Sequence, residues 1–407
     1  MKVLHINNFS KGGGAETVFN ITRKIKRIEI KNYVGFTNTH KNEETPDINF
    51  FNWENDNKFL GTINYIFSLK NYTLLFKFLR TNKIDVIHIH GFFSSLSPSI
   101  LLAIKRIKKN NDIKIIQTLH DFHLICPNSS LFNFGKNEIC EKCIGKKYKW
   151  FIFKDKCDRR GFGYSIIKGI RSFASNNIIN HKKVIDQFVV PSNFLRNKLL
   201  EDKVEENRIN LIRNPLTLSA DKTLNKKQNI ICYFGRFSAE KNLKFLISAF
   251  SLWKEKNKND FRLLLIGDGE KESELKNIAN ASNFVNDIIF KTFLPKEQLF
   301  DEIKNAKYFS LTSKCYENFP MSVIESIELD ILPIVPNIGG MRESIQDVFN
   351  IGITYQANNL ESWLTAVNNL ESNYQKEINK LKNNKKRILS DLKSEIYKKK
   401  IVELYLQ

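Results

Sequence analysis

No apolar run in this chain reaches the roughly 18–20 residues that a membrane-spanning helix needs. The opening MKVLHINNFSKGGG turns polar and glycine-rich too early for a secretory leader. Both absences point to the cytoplasm. Cysteine is scarce, six in 407 residues, which excludes a disulfide scaffold, because the cytosol keeps thiols reduced and a chain this long needs no staples. Negative charge is short as well: 43 Asp and Glu face 64 Lys and Arg, a formal +21. Residues 1–215 hold 36 basic and 19 acidic side chains, whereas 216–407 hold 28 and 24, so the first half carries most of the excess. Such a half attracts anions, nucleic acid or an anionic membrane face among them, unless the lysines only reflect coding bias and a solvated surface.

Apolar residues make up 42% of the chain and aromatics 12%, the composition of a folded protein. At 407 residues the chain exceeds one ordinary core, so two domains of roughly 150–200 residues are expected. KVLHINNF runs into SKGGG and then into a segment with Val18, Ile21 and Ile25 at helical spacing. NYVGFTNT, KIDVIHIHG, IKIIQTLHD and QFVVPSN are further short apolar runs separated by helical stretches. The rhythm restarts after a polar linker at 215–228, with IICYFGRF, FRLLLIGDG, DIIFKTFL, KYFSLTS and ILPIVPN. Strands alternating with helices predict two Rossmann-like, doubly wound parallel-sheet α/β domains, at 1–214 and 229–385, facing across a cleft. Residues 386–407 predict terminal amphipathic helix that packs back on the first domain.

Ligands of such sheets gather on the loops after strands. KGGGAE follows the first strand and opens a helix, so its bare amides can receive a phosphate, unless it is only a tight strand-to-helix turn. A dinucleotide cofactor is disfavoured, because the glycine pattern ends on Thr17 and the next strand lacks an acidic residue for a ribose. YFGRFSAEKNL places Arg236 and Lys241 between a strand and a helix, where two cations can neutralise a departing diphosphate. CYENFPMSVIESIE puts Glu317 in a loop, Pro320 at the start of a helix and Glu325 about two turns on. Carboxylates so separated suit sugar and diol hydroxyls better than an acid/base dyad.

In order and spacing, GGGAE, GRFSAEKN, GDGEKESEL and CYENFPMSVIESIELDILPIVPNIGGMRESI resemble glycosyltransferase family 4, with its GT-B fold, over nearly the whole chain. The resemblance implies a retaining, metal-independent hexosyl transfer from a nucleotide diphosphate sugar to a glycan or lipid-linked acceptor, as in bacterial surface polysaccharide biosynthesis. It implies that Arg236 and Lys241 hold the diphosphate, Glu325 the ribose and Glu317 the donor sugar. Backbone amides at Asn318 and Phe319 would face sugar or phosphate, and His120, in TLHD, would contact the sugar, with His123 an alternative. Gly13 and Gly14 would approach the phosphates. Phe293 and Leu294 would lie by the base, although Asn242 and Asn318 stand where glycine is frequent. The family also leaves open a catalytically silent glycan-binding protein and a sugar-nucleotide epimerase.

Cys126, Cys140, Cys143 and Cys157 lie within a lysine-rich insertion at about 122–160, and the two-residue gap from Cys140 to Cys143 is that of a zinc knuckle. Structural zinc and reduced, unliganded thiols both remain open; no cofactor is expected for catalysis. His88 and His90 share one strand face and suggest satisfied core histidines. KKYKWFIFKDKCDRRGFGYSIIKGIRSF interleaves cations with aromatics, which suits peripheral attachment to an anionic membrane at its inner face. No nucleic-acid motif accompanies it.

Overall fold

The computed structural model describes residues 1–38, 44–216 and 226–407. The chain divides into two compact units, Met1–Pro215 with Ser394–Gln407, and Leu216–Lys393. Most of the linker expected at 215–228 lies outside the described residues.

The first unit holds strands β1 (Lys2–Ile6), β2 (Lys31–Phe36), β3 (Ile48–Asn49), β4 (Val86–Ile89), β5 (Lys114–Thr118), β6 (Phe132–Asn133), β7 (Glu138–Ile139), β8 (Gln187–Val190) and β9 (Ile209–Leu211). Seven of them form one parallel sheet in the order β3-β2-β1-β4-β5-β8-β9; β6 and β7 pair as a small antiparallel hairpin. Strands β1, β4, β5 and β8 are buried almost end to end, as expected of a parallel sheet covered on both faces, which is why their sequences run apolar without alternation. The second unit holds β10 (Gln228–Phe234), β11 (Arg262–Ile266), β12 (Ile288–Lys291), β13 (Ala306–Ser310), β14 (Leu332–Pro336) and β15 (Ile353–Tyr355), all parallel, in the order β12-β11-β10-β13-β14-β15. In each sheet the strand order reverses once, between β1 and β4 and between β10 and β13. Loops leaving the carboxyl ends of those neighbours diverge and open a crevice.

The terminal helix expected from residue 386 starts later. Helix Tyr374–Asp391 buries Ile388 and Leu389 in the core of the second unit, and Leu392 follows them there. The chain then turns, with the Leu216 amide donating to the Leu392 carbonyl at 2.7 Å. Only Ser394–Gln407 belongs to the first unit, where Tyr397, Ile401, Val402 and Tyr405 of helix Ser394–Leu406 pack with Val3, Val18, Val86 and Ile116. Two hydroxyls lock it in register: Tyr397 shares a hydrogen bond with Thr22 at 2.8 Å and Tyr405 one with Nδ1 of His88 at 2.6 Å. His88 Nε2 meets Thr118 Oγ1 at 2.8 Å, so this imidazole is a satisfied core group, as its strand position suggested. No helix among the described residues is long and apolar enough to cross a membrane.

Burial holds these histidines neutral. His5 is pushed down to about 4 and His181 to about 3 by desolvation, and His88 lies well below the ordinary value for the same reason. In the unfolded chain each titrates near 6.5. Their folded values are depressed, so the stability they confer is complete above about 6.5 and drains away as the pH falls toward about 4. We expect the first unit to lose on the order of 1 kcal/mol per histidine per pH unit in that window. Guanidinium unfolding at neutral pH and at mildly acidic pH measures this, and an unchanged midpoint contradicts it.

Candidate functional site

The reversal between β10 and β13 explains why two distant sequence segments meet. The loop after β10 carries Gly235–Asn242 and the loop after β13 carries Leu311–Phe319. Thr312 Oγ1 donates to the Lys241 carbonyl at 2.8 Å, and the Lys314 amide donates to the Glu240 carbonyl at 3.0 Å, stitching the two loops together. Across that seam the Lys241 ammonium meets Glu317 Oε1 at 2.5 Å, and Ser313 Oγ donates to the same oxygen at 2.7 Å. Both side chains are mostly shielded from water, where an ion pair is stronger than on an open surface. The lysine and glutamate assigned separate partners from the sequence are partners of each other here.

Behind the pair, the loop is held by close backbone approaches that only glycine permits. A Cβ at Gly340 would lie 1.6 Å from the Asn318 carbonyl oxygen, and the Gly340 amide donates to the Glu317 carbonyl at 2.8 Å. Gly267 follows β11 at φ +149, where a Cβ would come within 1.9 Å of the Gly235 oxygen. Asn242 takes φ 55 and ψ 38, the left-handed region, immediately before helix Leu243–Asn257. Asparagine is, after glycine, among the residues that tolerate this geometry, which accounts for its standing where glycine is frequent. Asn318 is buried, yet neither its Oδ1 nor its Nδ2 has a hydrogen-bond partner among the described residues. A buried amide left so costs free energy unless a ligand completes it, so the residues present fit a polar ligand beside Glu317.

The remaining expected residues fall around this centre unequally. Arg236 is 76% exposed at its side chain, with a guanidinium nitrogen 3.9 Å from Glu240 rather than in the Lys241–Glu317 pair. Glu325 sits on helix Met321–Glu328, which Pro320 precedes directly, and belongs to a separate pair with Lys296 at 3.6 Å. Burial raises its carboxyl to about 6, opposed by Lys296 and aided by Glu328. Phe293 is 67% exposed in the loop after β12, while Leu294 packs on the core. The Phe319 ring is buried against Phe349, so that residue has only its backbone to offer. Thr312, Ser313 and Gly340 were not singled out by sequence; the polar LTS closing an apolar strand was the signal for the first two, and the Gly-Gly of NIGGMRESI for the third.

In the first unit the Gly13 amide, expected to receive a phosphate, already donates to Glu16 Oε2 at 2.8 Å. The chain's own carboxylate caps helix Gly14–Arg23, because a glutamate three residues past the cap can fold back on it. Gly14 is the first residue of that helix. His120 follows β5, stacked on His90 with Nε2 3.2 Å from Nδ1 of that ring. Burial lowers it to about 4, so it is a neutral group able to share one hydrogen bond with a hydroxyl. His123 is taken up by Asp121 at 2.6 Å and lies flat on Phe93.

Cys126, Cys140, Cys143 and Cys157 are free thiols, and among the described residues no three His, Cys, Asp or Glu side chains are grouped to hold a metal. Within the insertion Leu124, Ile125, Leu131, Phe132 and Ile152 are buried. Burial pushes the Cys157 thiol up to about 12, and Cys143 rises for the same reason.

The profile of the family described as Glycosyltransferase Family 4 matches residues 12–220, and that described as Glycosyl transferases group 1 matches 217–388. Among curated proteins, an uncharacterized glycosyltransferase, YqgM of Bacillus subtilis, is 28% identical over 160 residues, 38% of this chain and 43% of its own length. The capsular polysaccharide biosynthesis glycosyltransferase CapH of Staphylococcus aureus is 24% identical over 83% of this chain and 82% of its own. The chain spans 43 to 59% of the length of the first curated relatives it matches. Among solved structures, Anabaena Alr3699/HepE in complex with UDP-glucose superposes with a TM-score of 0.65 over 99% of both chains at 14% identity, which shows a shared fold.

The left-handed turn at Asn242 supports a stability test. Asn242→Ala should cost roughly 1 kcal/mol, because an alanine Cβ is strained there, whereas Asn242→Gly should be near neutral. Denaturant unfolding followed through Trp253 and Trp363, both buried in the second unit, separates the two, and equal losses contradict the account.

Proposed function

The chain belongs to glycosyltransferase family 4, and on that footing we propose that it transfers a sugar from a nucleotide diphosphate donor to a glycan or lipid-linked acceptor in surface polysaccharide synthesis. The observation that carries this reading is the Lys241–Glu317–Ser313 cluster at the β10/β13 crevice, with the unpartnered Asn318 amide next to it. When the bond between sugar and phosphate breaks, its electron pair goes to the diphosphate. A fixed ammonium beside the leaving oxygen stabilises that growing charge more than it stabilises the ground state. Glu317 and Ser313 supply the fixing: they hold Lys241 in one rotamer before the donor arrives, so little reorganisation is left for the reaction. Arg236, exposed in the same loop, can add a second cation to the diphosphate.

The rest of the donor distributes along the same sheet edge. The Asn318 amide can satisfy hydroxyls of the transferred sugar, and the carboxylate of Glu325 can accept from both hydroxyls of a ribose. Phe293, an aromatic face open to solvent after β12, can stack on a base. A solved relative of the same fold is described with UDP-glucose, which makes uridine diphosphate sugars the first donors to try. The reading extends to retention of the anomeric configuration and to chemistry in which cations of the protein, rather than a metal, meet the diphosphate. AmsD of Erwinia amylovora is described as an amylovoran biosynthesis glycosyltransferase and CapH as a capsular polysaccharide one, and the latter supports a growing glycan as acceptor.

Thermal shift and donor hydrolysis against a panel of nucleotide sugars test the proposal. At least one donor should raise the melting temperature, and Lys241→Ala should lower kcat by about 10²–10³-fold, the usual loss for one group that stabilises developing negative charge. No stabilising donor, or an unaltered Lys241→Ala enzyme, contradicts it.

Glu325 adds a pH test. Its folded value is raised to about 6, so the ionised form that accepts from a diol prevails above that value and is lost below it. Donor affinity should therefore weaken as the pH falls from 7 to 5, and Glu325→Gln should bind more weakly at 7 with a flattened profile. An identical profile in the variant removes Glu325 from the ribose.

A further inference from the structure

Two helices of the first unit are amphipathic in the wrong sense. Helix Phe162–Phe173 turns Ser165, Gly169 and Ser172 inward, one helical stripe of small or polar residues. The adjoining stripe, spaced four, four and three residues apart and about a quarter-turn round the helix, is Phe162, Ile166, Ile170 and Phe173, of which Phe162, Ile170 and Phe173 are exposed. Packing explains the inner face: a Cβ at Gly169 would already lie 2.6 Å from the Phe153 ring, so nothing larger fits. Arg171 is buried beside it, donating to the carbonyl of Phe92 at 3.0 Å and to that of Phe93. Nothing in the unit explains the outer face. Helix Lys58–Ile66 repeats the inversion, burying Gly61 while Phe59, Leu60 and Ile63 face out.

The two helices are neighbours, since the Arg171 guanidinium lies 4.1 Å over the Tyr65 ring. The apolar surface continues onto Tyr148, whose ring stacks on Phe173 at 6.3 Å and meets Trp150, 56% exposed, at 5.8 Å. A soluble helix buries its large apolar residues, and a contiguous patch of them in the open marks a surface that something covers.

Charge says what. Residues 142–178 contain ten basic side chains, all but the buried Arg171 at least partly exposed, and two acidic ones. Both acidic groups are already engaged, Asp155 by Lys136 and Lys142, Asp158 by Arg160 and Lys168. Cations with aliphatic stems and amphipathic Trp and Tyr rings around an aliphatic and Phe centre are the makeup of a surface that lies on a bilayer. The apolar residues enter the acyl boundary while Lys and Arg reach the phosphates. A rim so short of acidic groups suits headgroups better than another basic protein surface. We infer that the face formed by helices Lys58–Ile66 and Phe162–Phe173, with Tyr148 and Trp150, docks the chain on a bilayer containing anionic phospholipid. This goes beyond the donor chemistry and does not depend on it, because docking is read without any nucleotide.

The test is co-sedimentation of the full chain with vesicles of phosphatidylcholine alone and of equimolar phosphatidylcholine and phosphatidylglycerol. The protein should pellet with the anionic vesicles, less so as salt is raised, with Trp150 emission shifting to the blue and the shift missing in Trp150→Phe. Ile170→Ser with Phe173→Ser should weaken partitioning by about tenfold or more, the loss expected when two apolar side chains no longer leave water. Because both are exposed, the pair should melt as the wild type does. Failure to pellet with anionic vesicles at low salt, equal binding to both vesicle types, or equal binding by the double variant overturns the inference. So does a concentration-dependent dimer that the double variant abolishes, since a second copy would then cover the face.

Discussion

A parallel sheet cannot be closed by tight hairpins. Each strand must be followed by a crossover that returns the chain to the same end, and that constraint governs the rest of this molecule. It buries the strands on both faces, so they are written as short apolar runs, and it sends all the strand carboxyl ends to one edge. Where the order of strands reverses, successive loops part company. In the second unit that happens between β10 and β13, and Lys241 and Glu317, 76 positions apart in the chain, come together there because of it. The ion pair is thus a product of topology before it is an element of chemistry.

The strands were the most legible part of the sequence, since ten of them stand out as apolar runs bounded by polar loops. Strands β9 and β15, three residues each at a sheet edge, carry too few residues to show a period. The boundary at 386 was misplaced because helices Tyr374–Asp391 and Ser394–Leu406 have similar basic, periodic sequences. What separates them is which core receives Ile388 and Tyr397, and this is a tertiary fact.

The site was legible in its residue types more than in its pairings. Arg236 and Lys241 sit in one loop, which suggested one shared task, yet the side chains diverge and only Lys241 joins Glu317. The glycine turn before helix Gly14–Arg23 looked like an open anion seat because its amide was counted and the glutamate three residues on was not. Cysteine spacing suggested a metal-ordered loop. Spacing alone does not say what orders a segment, and buried apolar residues lie in this one as well. Charge complementarity and burial decide such cases, and both depend on neighbours far away in sequence.

The second unit is inserted into the first, which the chain leaves after Pro215 and re-enters at Ser394. During synthesis the first sheet therefore emerges without one of its covers. Val3, Val18, Val86 and Ile116 wait for Tyr397, Ile401 and Tyr405, and His88 waits for the tyrosine hydroxyl that completes it, until 178 intervening residues, Leu216–Lys393, have left the ribosome. The unit that starts first finishes last, so its half-built core is the stretch of this chain with most need of a chaperone.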